Sequence, residues 1–196
     1  MRKTLLFGAL GFLPLYLLWG CTALGGSVEE INPELNLGKI QKIVYLNPDI
    51  YPDFSALQEP TNTAFFGAIS NQLQRKRNIQ VTRIDTPMDY ENIDEELLAD
   101  LCTNNMADII IVPHIKYFKV GIGKYVLSNQ VVVSLKSYTK KGEFISRVNY
   151  DTYAGNARLL GSAENSVKLG VEGALNKMFN ALKKQKMIMN EVDKRP

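Results

Sequence analysis

The stretch ADIIIVPHIKYFKV, residues 107–120, decides how the rest of the chain is read. It begins as a strongly apolar strand and then turns to alternation of apolar with polar residues, the period of a strand with two unlike faces. Gly121 and Gly123 weaken its far end and mark a bend or bulge. A second strand, NQVVVSLKSYT, starts at Asn129, Lys140-Lys141-Gly142 supplies a turn, and GEFISRVNYDTYAG returns as its partner. These strands form a meander.

Upstream, KIVYLN (Lys42 to Asn47) is a short strand stopped by Asn47-Pro48. The following PDIYPDFSALQEP holds three prolines and reads as an ordered loop. From Thr61 the spacing predicts a helix: Phe65, Phe66, Ile69 and Leu73 share a face, Thr61 or Asn62 can cap, and Arg75-Lys76-Arg77 lies where the helix dipole favours cations. That basic cluster reads as helix capping and solvated surface. IQVTRI (Ile79 to Ile84) alternates as a strand. A second helix spans Asn92 to Asn104, with acids at its start, Asp94-Glu95-Glu96, and an apolar stripe of Ile93, Leu97, Leu98, Leu101 and Cys102. The last helix runs from Ala163 to about Lys186 on Val167, Val171, Leu175, Met178 and Leu182. Gly170 and Gly173 allow it close approach to a sheet. The order β-α-β-α-β-β-β-α predicts an α+β fold, a mixed sheet with helices mainly on one face, over residues 40–186. Residues 187–196 are expected to fray.

The chain opens on Met1-Arg2-Lys3 and an apolar run from Leu5 to Trp19, interrupted by Pro14. The run is shorter than the roughly 20 residues a membrane-spanning helix needs, so residues 1–20 read as a secretory signal. Leu18-Trp19-Gly20-Cys21 resembles the lipobox of bacterial lipoproteins, although Trp19 stands where a small residue is usual. The resemblance implies cleavage before Cys21, a diacylglyceryl thioether on its sulfur and an acylated new amino terminus. Two or three acyl chains anchor stably where one does not. Thr22, in place of Asp after that cysteine, resembles the default signal for delivery to the outer membrane, at its periplasmic face. Residues 21–39, with glycines at 25, 26 and 38, read as a lipidated flexible tether spanning on the order of 25 Å.

Charge and cysteine usage narrow the classes. Basic residues number 23 and acidic ones 20, and loss of Arg2 and Lys3 with the signal leaves a near-neutral chain, so no nucleic-acid surface is expected. The two cysteines are Cys21 and Cys102. Lipidation of Cys21 removes a disulfide, and Cys102 then reads as a small buried hydrophobe.

From Asp108 onward the chain resembles the sheet-and-helix module at the amino end of the periplasmic Tol translocation protein. The same module recurs in lipoproteins that activate penicillin-binding proteins and in the curli-secretion lipoprotein. The residues that carry this are Ala107-Asp108-Ile109-Ile110-Ile111, then Val131-Val132-Val133-Ser134-Leu135, the turn Lys140-Lys141-Gly142-Glu143 and the long final helix. The stretch between Ile115 and Asn129 is unusually long, where family members place a variable hairpin.

Catalytic signatures are missing from the sequence. His114 is the single histidine, so a zinc site of histidine and cysteine is excluded, and His114 reads as structural or half-exposed. Gly121-Ile122-Gly123-Lys124 is no Walker loop, because Phe118 and Tyr125 stand where glycine and Ser or Thr are needed. No enzyme activity and no cofactor are expected. The expected function is that of a membrane-anchored lipoprotein serving an envelope machine through protein contacts. Its candidate partner surface is Tyr51, Phe54, Tyr117, Phe118, Tyr125 and Tyr138, of which alternation sends at least two into the core. The alternatives are an oligomeric secretion or pore subunit, with Ile115 to Leu135 as its membrane-crossing segment, and a small-ligand carrier or enzyme.

Overall fold

A computed structural model describes residues 26–35, 40–74, 79–86, 88–119, 127–153 and 162–184. The expected signal peptide, Cys21, Arg75-Lys76-Arg77, the Gly121–Gly123 bend, Tyr125 and the expected frayed tail lie outside them. The elements are β1 (Gly26–Ile31), β2 (Lys42–Leu46), β3 (Asp49–Tyr51), α1 (Ser55–Gln74), β4 (Gln80–Ile84), α2 (Glu95–Asn104), β5 (Ile109–Lys119), β6 (Leu127–Thr139), β7 (Phe144–Asp151) and α3 (Ala163–Lys184). They form one mixed seven-stranded sheet in the order β1-β7-β6-β5-β2-β4, with β3 also on β5. From Lys42 onward the order follows the sequence reading, with one short strand added.

Handedness explains where the helices go. The chain steps from β2 to β4 through α1, then back past β2 to β5 through α2, and all these pairings are parallel. Right-handed crossovers in opposite directions place their helices on opposite faces. Accordingly α1 packs with α3 over Ile43, Tyr45, Ile109, Ile111, Ile115, Val131, Val133 and Leu135. The opposite face of the same strands gives α2 its smaller core, Val44, Leu46, Ile110, Val112 and Tyr138 against Leu98 and Cys102. The expectation of helices mainly on one face holds, with α2 the exception.

The phrase Ala107-Asp108 has a structural reason: Asp108 Oδ2 accepts hydrogen bonds from the Gln41 and Lys42 amides at 2.7 and 2.9 Å, fastening the start of β2 to that of β5. The Lys140-Lys141-Gly142 turn is closed by Thr139 Oγ1, which accepts from the Lys141 and Glu143 amides. Gly142 there has φ +81°, and a Cβ would strike the Glu95 carbonyl. The close approach of α3 is also as expected, since a Cβ at Gly173 would run into the Tyr150 ring.

Three expectations are corrected. Gly26–Ile31, part of the stretch read as a tether, is the edge strand β1, paired antiparallel with β7 through Val28↔Val148 and Glu30↔Arg147. The Pro-rich stretch after Leu46 holds β3 and the first turns of α1, and Pro60 lies inside that helix. Proline there removes one backbone donor, while the helix is held farther along by buried Ala64, Phe65, Ala68 and Ile69. Thr61 is therefore not a cap; it is buried within α1 and shares a 2.7 Å hydrogen bond with the Tyr117 hydroxyl. On α2, Asp94 is the N-cap, accepting from the Leu97 amide at 2.9 Å, and Leu97 itself points outward.

Candidate interaction surface

Proline fixes the central strands. β2 and β3 lie end to end along β5, β2 facing Ile109–Ile111 and β3 facing His114–Lys116. The break at Asn47-Pro48 faces Val112-Pro113, so residues without an amide donor meet where the ladder is interrupted.

In a sheet whose crossovers leave β2 on both sides, the crevice beyond the carboxyl ends of the strands is where ligands bind. Here that place is filled. The Tyr90 ring stacks on His114 with centroids 5.1 Å apart and is itself buried. Asp49 Oδ2 accepts from His114 Nδ1 at 3.0 Å and from the Tyr90 amide at 3.4 Å. From β6, Lys136 Nζ donates to the Tyr90 carbonyl at 2.6 Å and lies 4.1 Å from its ring centroid. Burial lowers the Lys136 pKa and raises that of the Tyr90 hydroxyl. The single histidine is thus a structural knot that pins the 88–92 loop to the sheet, in keeping with its structural reading.

Cys102 is buried in the α2 core, as expected, and burial pushes its thiol up to about 11, so at neutral pH it stays protonated. A shallow open depression of about 490 Å³ beside it is lined by Met106, Asp108, Lys140 and Lys141. Among the described residues, no group of three or more His, Cys, Asp or Glu could hold a metal, and no helix is long and apolar enough to cross a membrane.

The sequence-selected aromatics part company. Tyr51 and Phe54 are exposed, at 57% and 52%. Phe118 is half-buried, and Lys116 lies between it and Tyr51, its ammonium 5.4 and 5.8 Å from the two ring centroids. Tyr117 and Tyr138 are buried and offer no partner surface: Tyr117 faces α1, and Tyr138 packs edge-on against Phe144. Period-2 geometry is the reason, since Tyr117 and Phe118 are neighbours on one strand and must point to opposite faces. Tyr125 lies outside the described residues. Of the segment Ile115 to Leu135 proposed to cross a membrane, the described residues Ile115, Tyr117, Val131, Val133 and Leu135 are buried beneath the helices.

What the sequence reading missed is a set of polar side chains in register beside the α2 core, exposed at Glu30, half-buried at Arg147 and buried at Ser134. One row runs Glu30, Arg147 and Lys136 on β1, β7 and β6 and ends at buried Val112 on β5; the next runs Asn149, Ser134, His114 and Asp49. Arg147 reaches Glu30 at 3.5 Å. The signal was present in the polar members of the alternation in β6 and β7, but rows appear only once register is known.

No protein-family model matches this chain, and no curated protein matches it. Among solved structures it is similar to the PelC dodecamer of Paraburkholderia phytofirmans, at 13% identity and TM-score 0.50, over 78% of this chain and 96% of that one. A second PelC dodecamer structure from the same organism matches at 9% identity and TM-score 0.50, over 78% and 97%. Lipoprotein GNA1162 of Neisseria meningitidis is a more distant match, at 11% identity and TM-score 0.34, over 71% and 98%. At these identities the PelC likeness establishes a shared fold.

Proposed function

We propose that this protein is a lipid-anchored bacterial envelope lipoprotein that acts without catalysis, as an accessory or assembly factor working through protein contacts at the periplasmic face of the outer membrane. One observation carries the non-catalytic reading: the groups suited to chemistry are already used internally. His114 is tied to Asp49 beneath Tyr90, and Cys102 is buried with its thiol protonated. What faces outward includes Glu30, Arg147, Tyr51 and Phe54, which is contact chemistry. The lipobox resemblance at Cys21 and the resemblance to the Tol-type module support the envelope setting.

A second reading, assembly into a homo-oligomer, is favoured by the likeness to a protomer of a dodecamer. Both edge strands of the sheet, β1 and β4, end the ladder within one chain, and Val81 on β4 is exposed; open edges invite pairing. Photo-crosslinking from position 81 in native envelopes, followed by mass spectrometry, tests both readings. Adducts to one discrete envelope protein support the accessory role, and adducts to a second copy support the oligomer. A chain that forms no adduct and runs as a monomer after gentle extraction overturns both.

A further inference from the structure

Strand register places the start of β1 at one end of the sheet. Gly26, the first residue of β1, lies opposite Tyr150. From there the ladder carries across to Val133 and Val132 on β6, Ile115 and Lys116 on β5, and Tyr51 on β3. The start of β1 and the exposed aromatics therefore share one end of the sheet. Tyr51 lies four strand spacings from β1, about 19 Å across the ladder. Phe54, just before α1, belongs to the same end. Cys21 precedes Gly26 by five residue steps, which reach at most about 18 Å. Because β1 is a strand and not part of a tether, the attachment point stays close to this end.

We infer that this end rests on the lipid surface, with Tyr51, Phe54 and Phe118 seated among the headgroups while acyl chains on Cys21 hold the opposite corner. The inference rests on the anchoring reading and deepens it. Tyrosine rings are suited to the membrane interface because they join an apolar body to a polar tip. Lys116, over the Tyr51 and Phe118 rings, can extend toward phosphate. Asp53 and Asp151 at the same end offset Lys116 and Lys119, so seating is by aromatic burial and resists salt. The far end is unlike it, presenting Lys140, Lys141 and Glu143 around the turn and Met106, which is 82% exposed. The ends are separated by the run of β5 from Ile109 to Tyr117, about 26 Å at strand rise.

On the anchoring reading the sole tryptophan, Trp19, leaves with the signal, so a tryptophan introduced into the mature protein is its one such fluorophore. Full-length lipoprotein carrying Phe54→Trp, Tyr51→Trp or Met106→Trp would be matured in cells and reconstituted into phosphatidylethanolamine–phosphatidylglycerol vesicles containing brominated lipid. Intact mass is read on each sample. The expected result is blue-shifted emission from positions 51 and 54, quenched at least about twofold more than from 106, and unchanged in high salt. Acylated Cys21 with equal quenching at all three positions overturns the inference and leaves anchoring intact. A crosslink from position 54 to protein in place of quenching does the same. An unmodified Cys21 overturns the anchoring reading and the inference together.

Discussion

The two faces of the sheet are built to different rules. Beneath α1 and α3 the strands β2, β5, β6 and β7 contribute aliphatic side chains, with Ile43, Ile109, Ile111, Ile115, Val133, Leu135 and Val148 all fully buried. On the other face a ten-residue helix covers only one part, and the remainder is held by a loop, a tyrosine and polar side chains. The first face holds the larger share of the buried apolar side chains, and its partners come from within the chain. The second spends less apolar area on folding and leaves groups available to others.

Truncations should separate the faces. On the helix-covered side, Ile111→Ala leaves a cavity among well-packed neighbours and is expected to cost about 2–5 kcal/mol in urea unfolding. A loss below ~1 kcal/mol there would erase the distinction between the faces. Gly173→Ala, which drives a methyl into Tyr150, should cost about 1–3 kcal/mol by the same measurement.

The α2 side adds a signature in pH. Burial pushes the Tyr138 hydroxyl up to about 12, from an ordinary 10.0. Its neutral form is favoured by the fold, so this contribution is whole below the unfolded value of 10.0 and is lost as pH rises toward about 12. Stability should fall across that window, and tyrosinate absorbance should rise with unfolding. Tyr138→Phe should flatten the decline. At the small end, Lys116→Ala on the open face should change stability by less than about 0.5 kcal/mol, since its partners are two exposed or half-exposed rings.

The meander was legible because alternation in β6 and β7 continues over many residues and Lys140-Lys141-Gly142 is an unambiguous turn. Leu98 and Cys102 were legible from helical spacing. β1 was not: its glycine-rich start has no clear period, and it owes its form to pairing with β7, more than a hundred residues away. β3 and the start of α1 were hidden by prolines, whose effect depends on whether a neighbour needs the missing donor. The knot of Asp49, Tyr90 and His114 joins residues from three separate segments, which spacing within one segment cannot reveal. Two exposed aromatics, Tyr51 and Phe54, were found by residue type alone, and Tyr117 and Tyr138 were not separable from them until the faces were assigned.

The proposed role requires that the module be held at a membrane where partners could reach it. Intact mass of the protein isolated from its native envelope is the most direct measure of that. The expected product begins at Cys21 and carries a diacylglyceryl thioether with an acylated amino terminus. A product with a bare thiol at Cys21, recovered in the soluble fraction, would contradict it.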